Sequence, residues 1–287
     1  MSTVTPGSKF RLAPTPSGFL HTGNAFNFIL NWAAARIIPG ASLLLRIDDL
    51  DAGRKRPEFV ADIFDTLWWL GLDYDTGPVS LRDFEQNWSQ RLRLPVYRQA
   101  LDALRASGRL FACAKSRQDL APFGGSYPEA FRRQHLSLDA PGLAWRIQTP
   151  ETPVQNLPAD FVVRRKDALP AYQLASLLDD LNFGITHIIR GEDLLGSTAA
   201  QHYLAACLNT EAFQGIRFLH HPLILDEQGA KLSKSAGSAA MKHWREAGRH
   251  PSGVFQLAAA NLGLPAQTIE SAVDFLDMLR QIKPKQA

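Results

Sequence analysis

Apolar residues recur along the chain with two different periods. From Ala25 to Ile37 they return every three or four positions, the spacing of one helix face, and Pro39-Gly40 closes the run. "SLLLRI" at 42–47 is a short continuous apolar run with polar flanks, the mark of a buried strand. Helical spacing resumes in "EFVADIFDTLWWLGL" behind Pro57, which sits where a helix start tolerates a missing N–H. A further helix is expected over Arg91 to Ser107, and "KFRLA" at 9–13 reads as the first strand.

From Gly108 to about Arg165 the pattern changes. Short strand-like pieces ("RLFACA", "LAWRIQT", "DFVVRR") alternate with turns rich in Pro and Gly, which reads as a small α+β insertion. Helix and strand then alternate again: "AYQLASLLDDLN" as helix, "ITHIIRG" as strand, "STAAQHYLAACLN" as helix, "FLHHPLIL" as strand. The end of the chain reads as helices, in "AAMKHWREAG", "GVFQLAAANLG" and "TIESAVDFLDMLRQI". Strand–helix units on both sides of an insertion predict an α/β fold: a parallel sheet split by the insertion, with ligands outside the C-terminal strand ends.

Composition narrows the class. With 287 residues, 45% hydrophobic and 21% charged, the chain has a globular balance, not a disordered one. A net charge of +3 permits a nucleic acid partner without demanding one. The two cysteines, Cys113 and Cys207, form no paired pattern, so a reducing compartment is expected. "MSTVTPGSKF" has no apolar core of signal-peptide length, and no run of apolar residues is long enough to span a bilayer. A soluble cytoplasmic protein is expected, without membrane partners.

Two segments carry candidate chemistry. In "RLAPTPSGFLHTGNAFNF" (11–28), His21, Gly23 and Asn24 fall at the start of the first helix, just after the first strand. A helix N-terminus offers N–H groups and positive partial charge to a phosphate, glycine allows close approach, and His21 and Asn24 can donate to an anionic oxygen. The plain alternative is a turn with a capping Asn and a surface His. In "GAKLSKS" (229–235), Lys231 and Lys234 flank small hydroxyl residues and could neutralise phosphate charge, or simply be solvated. Trp68-Trp69 read as core, and the adjacent His220 and His221 point to opposite strand faces, which argues against a shared metal.

Together "HTGN" and "KLSKS" resemble the two signatures of class I aminoacyl-tRNA synthetases. "RLAPTPSGFLHTGNA", "LLLRIDDLD", "AYQLASLLDDLNFGITHIIRGEDLL" and "HHPLILDEQGAKLSKS" resemble its glutamyl branch, in the family order and over residues 10–235. The resemblance implies a Rossmann-like catalytic domain in two halves, 1–107 and 166–235, around a tRNA-contacting insertion at 108–165, with a helical region at 236–287. It implies ATP with Mg2+, L-glutamate and tRNA as ligands. ATP falls to Pro14, His21, Gly23, Asn24 and Lys234, with His21, Asn24, Lys231 and Lys234 as the catalytic set. Glutamate falls to Arg11, Thr15, Asp48, Tyr172 and Arg190, the Arg11, Tyr172 and Arg190 positions reading the side-chain carboxylate and Asp48 the α-amino group. Arginine suits a carboxylate because its planar fork matches it and stays charged. Three positions depart from the commonest family residues: Asn24 for His, Asp48 for Glu and Thr15 for Ser. For Arg46, Asp48 and Asp49 a structural ion pair is the alternative.

Beyond Ser235 the chain is shorter than in glutamyl-tRNA synthetases that read an anticodon with a long helical region. "AYQLA" and "DLLGST" also resemble the family's short branch, which attaches glutamate to the queuosine base of tRNA(Asp). A monomer is expected, docking an anticodon loop with phosphate contacts from residues such as Arg132, Arg133, Lys242 and Arg245. That branch commonly holds zinc at a Cys-x-Cys-x(11)-Tyr-x(3)-Cys spacing, which here reads Cys113, Lys115, Tyr127, Phe131, so zinc is not expected. The competing readings are a truncated synthetase that charges a tRNA 3′ end, an inactive RNA-binding paralogue and a nucleotidyl transferase.

Overall fold

The strand β1 (Lys9–Leu12) pairs in parallel with β2 (Ser42–Leu45), and the helix α1 (Thr22–Ile37) connects them. The ladder extends past both strands, with Arg46 N–H donating to Leu12 O at 2.8 Å and Asp48 N–H to Pro14 O at 2.9 Å. On the far side of β1, Thr186 N–H donates to Lys9 O at 3.0 Å, bringing in β6 (His187–Gly191), which pairs in parallel with β7 (Arg217–His221). Thr76 bridges in parallel beyond β2. The order is therefore Thr76, β2, β1, β6, β7. The computed structural model describes residues 7–51, 53–123, 127–132, 135–152, 154–224, 241–265 and 269–282.

The sheet is covered on both faces, as the apolar run at 42–47 requires: Leu43, Leu44 and Leu45 are all fully buried. Phe10, Leu12, Leu43, Leu45 and Ile189 share one core with α1 and with the helices Ser252–Asn261 and Ala272–Gln281. By strand alternation Arg11, Leu44, Ile188 and Arg190 face the other side. α2 (Pro57–Leu70) starts with Pro57 in its first turn and stops at Gly71, whose φ of 68° is the left-handed cap that glycine adopts without strain. The helix Met241–Glu246 packs against α2.

These elements, residues 1–90, 185–192 and 217–287, form one compact unit, and residues 91–184 and 193–216 form a second. In the second, β3 (Leu110–Cys113), β4 (Ala144–Ile147) and β5 (Val162–Arg164) make an antiparallel sheet. The helices Leu94–Ala106 and Tyr172–Asn182 are tied through Asp179, which takes both Arg93 (2.7 and 3.0 Å) and the Tyr97 hydroxyl (2.7 Å). Burial first, and the Asp179 charge second, push the Tyr97 phenol far up, so it stays a donor.

The strand expected over "FLHHPLIL" is shorter in the structure and ends at His221. Pro222 has no N–H to continue the ladder. The helix expected from Ser197 begins two residues earlier, at Leu195.

Candidate active site

β1 delivers the chain to Pro14 and Thr15 at the C-terminal edge of the sheet. Pro14 is buried and gives its carbonyl to Asp48, while Thr15 is exposed. His21 is then the N-cap of α1. Its Nδ1 accepts from Gly23 N–H at 3.1 Å, and its own N–H donates to Asn24 Oδ1 at 3.1 Å, a reciprocal capping box. The capping alternative and the phosphate reading thus fall on the same residues, with His as the cap and Asn as its reciprocal partner. The cap also sets the chemistry. A neutral imidazole that accepts at Nδ1 carries its proton on Nε2, and an Asn that accepts at Oδ1 turns its amide outward as a donor. Gly23 leaves room for this ring: a Cβ there would lie 3.0 Å from His21 Cε1 and 3.1 Å from Nδ1, tight enough that the imidazole would have to shift by a few tenths of an ångström.

Behind this edge, on the sheet face away from α1, lie two buried arginines, Arg11 on β1 and Arg190 on β6. Arg190 stands over the Phe218 ring at 5.0 Å, opposite His220 in the β6–β7 register. Burial, then the Arg190 and His221 charges, hold the His220 pKa below its ordinary value. Arg46 and Asp48 continue on the same side and form a buried two-point pair at 2.7 and 3.1 Å. This is the structural ion pair weighed against an ammonium-binding role, and it engages both carboxylate oxygens of Asp48. Asp49 is a separate clamp, accepting from Ser89 Oγ (2.7 Å), Gln90 N–H (2.8 Å) and Lys55 (3.1 Å). Tyr172 opens the helix Tyr172–Asn182 in the second unit and is 37% exposed. Lys231 and Lys234 lie outside the described residues.

The model of the catalytic domain of class I tRNA synthetases (E and Q) matches residues 9–123 and 145–286. A glutamyl-Q tRNA(Asp) synthetase of Synechococcus sp. (strain CC9605) is 39% identical, over 97% of this chain and 92% of its own. That of Burkholderia cenocepacia (strain HI2424) is 36% identical, over 91% and 90%. The chain belongs to the class I tRNA synthetases, in the glutamyl-Q tRNA(Asp) synthetase branch. Among solved structures, a glutamate-tRNA synthetase from Elizabethkingia anophelis superposes with a TM-score of 0.73 at 22% identity. A methionyl-tRNA synthetase from Mycobacterium tuberculosis does so at 0.53 and 14%. At those identities the likeness concerns the fold, and the chain spans 65% of the length of the first.

The zinc spacing of the class I synthetase branch converges in the second unit, but on residues that do not fit a metal. Tyr127 donates to Cys113 Sγ at 3.0 Å and stacks edge-on to Phe131 at 5.8 Å. Lys115 Nζ stands 4.7 Å from the Phe131 ring centre, and the Arg146 guanidinium 4.5 Å from that of Tyr127. A zinc ion needs about four N, S or O ligands in deprotonated form. Here two of the four spaced positions are Lys and Phe, two cations crowd the cluster, and burial and Cys113 push the Tyr127 phenol up. Among the described residues no group of three His, Cys, Asp or Glu could hold a metal.

Of the basic residues expected to meet RNA, Arg132 pairs with the buried Asp160 (2.8 Å at one nitrogen) and Arg245 with the buried Asp62 (2.7 Å). Both are engaged inside the fold. Lys242 lies over Phe19 at 4.3 Å and 3.6 Å from Glu246, and Arg133 lies outside the described residues. The sequence reading also missed a polar cluster under α1. Asn27 and Asn31 both donate to Ile189 O (3.1 and 3.0 Å), and Asn27 lies 3.1 Å from His221 Nε2. Two asparagines one turn apart on an otherwise apolar helix face were the available signal. No helix among the described residues is long and apolar enough to cross a membrane.

Proposed function

We propose that the chain activates L-glutamate with ATP and transfers the glutamyl group to the queuosine base of a cytoplasmic tRNA(Asp). The observation that carries this is the placement of Arg11 and Arg190, buried on one face of the sheet beside the edge that bears His21 and Asn24. A dicarboxylate needs one carboxylate held and the other free to react. Arg11 and Arg190, with Tyr172, hold the side-chain carboxylate. The remaining lone pairs of Asp48 take the ammonium, with Thr15 supplying a hydroxyl.

The α-carboxylate oxygen attacks the α-phosphorus of ATP, which forms glutamyl-adenylate and releases pyrophosphate. His21 Nε2–H and the Asn24 amide donate to the phosphate oxygens, and Lys231 and Lys234 neutralise the charge that develops. Pro14 and Gly23 shape the loop against the nucleotide. Magnesium accompanying ATP adds positive charge at the phosphates. A hydroxyl of the queuosine ring then attacks the glutamyl carbonyl, giving an ester and AMP. The enzyme acts as a monomer.

The test is incorporation of radiolabelled glutamate into tRNA(Asp) that carries or lacks queuosine. Label is expected only with queuosine, and it should survive oxidation of the 3′-terminal diol when the base is protected. Equal labelling of unmodified tRNA would replace this reading with charging of a 3′ end.

A further inference from the structure

The core-facing stripe of α2 is Val60, Ile63, Thr66, Leu67 and Leu70, and a carboxylate, Asp62, stands among them with 2% of its side chain exposed. A buried carboxylate is costly unless donors and a cation meet it. Its Oδ2 accepts from Leu20 N–H at 2.7 Å and its Oδ1 from Arg245 Nη2 at 2.7 Å. Arg245 Nη1 donates to Thr66 Oγ1 at 2.6 Å, one turn along α2. The other polar backbone group of Leu20, its carbonyl, accepts from Met241 N–H at 2.8 Å. The neighbours pair as well: Lys242 lies over Phe19, whose ring meets Phe59 of α2 edge-on at 5.0 Å. Residues 19–20, next to His21, are thereby fastened to residues 241–242 and to α2.

An apolar pair of similar size would often stabilise as well as a buried ion pair. The pair adds direction, since each hydrogen bond fixes an atom. We propose that Asp62 and Arg245 are positioning residues for the adenylation step, holding Leu20 at both backbone groups and so setting where His21 and Gly23 stand. This rests on the function proposed above. Arg11 and Arg190 face the other side of the sheet, so the clamp acts on the rate of activation and leaves glutamate affinity alone.

The experiment compares wild type with Asp62→Asn, Arg245→Met and Arg245→Lys in glutamate-dependent ATP–pyrophosphate exchange, with rates taken per titrated active site. We expect kcat to fall between about ten- and a hundredfold in Arg245→Met, as for a slight misplacement of a reacting group, with the KM for glutamate unchanged. Arg245→Lys should recover part of the rate, because an ammonium can still pair with Asp62. Hydrogen exchange of the Leu20 and Met241 amides should speed up in the same variants, while Asn27 to Trp32 stays protected. Should these variants fail to fold, Lys242→Met loosens the same fastening from the surface, with a smaller drop expected in kcat and faster exchange at Leu20. A kcat per site equal to wild type overturns the positioning role. Unchanged exchange at Leu20 and Met241 overturns the clamp itself, whatever the wild type catalyses. A wild type without glutamate-dependent exchange overturns the functional reading instead.

Discussion

Asn24 serves the helix and the reaction with opposite ends of one amide. Oδ1 accepts from His21 N–H, and the NH2 end is the donor proposed for the phosphate. Asn24→Asp separates the two. The cap is kept, and a negative charge at a helix N-terminus favours the helix, so the melting temperature should hold or rise slightly. The donor is lost and a charge that repels phosphate replaces it, so ATP–pyrophosphate exchange should fall by about a hundredfold. Arg190→Met tests selectivity. Removing one side of a buried charge pair typically costs about 3–5 kcal/mol, so glutamate should bind far more weakly while glutamine, with no charge to strand, loses little. Equal losses in competition binding would make Arg190 structural. His187 reports on pH. Its ring stacks on Phe10 at 4.9 Å with Nδ1 at 2.8 Å from Thr186 Oγ1, and burial, then the Arg217 charge, lower its pKa from 6.5. The folded state therefore keeps it neutral while the unfolded chain takes up the proton. This share of the stability is complete above the ordinary value and is lost as pH falls below it. Melting temperatures measured at pH 7.5 and 5.5 should drop less in His187→Gln than in wild type.

At the scale of elements, the sequence was most legible where punctuation is local. Pro57 opens α2, and Pro39-Gly40 closes α1, because each acts on its own backbone. The identities of His21, Gly23 and Asn24 were legible too. Their mutual hydrogen bonds were not, since the same letters serve a bare cap and a phosphate site. Asp48 was legible as an acid with two readings, an ammonium site or a structural ion pair among Arg46, Asp48 and Asp49, and the strand alternation that sets Arg46 and Asp48 on one face forms the Arg46 pair. Asn31 was hidden because its acceptor, Ile189 O, lies 158 positions away in the chain. Local rules also predict what can be cut without touching the chemistry. Ser271 caps the helix Ala272–Gln281 with Asp274 in a second capping box. Ser271→Ala should cost about 1 kcal/mol in urea unfolding, with exchange activity intact.

At the scale of the molecule, the second unit carries its own ties, in the Arg93–Asp179–Tyr97 cluster and in the packing around Cys113. Elemental analysis of protein purified without added zinc should give far less than one zinc per chain, and a strong chelator should leave the melting temperature where it was. Stoichiometric zinc would mean that other ligands have been recruited. The position of Lys115 over Phe131 has a further consequence. A metal stabilises a fold by mass action, in proportion to the logarithm of its free concentration over its dissociation constant. An ammonium on the chain's own side chain has no such dependence: it arrives with the polypeptide, in a ratio of one to one, and dilution does not remove it. The Lys115 share of this cluster's cohesion therefore does not vary with metal concentration.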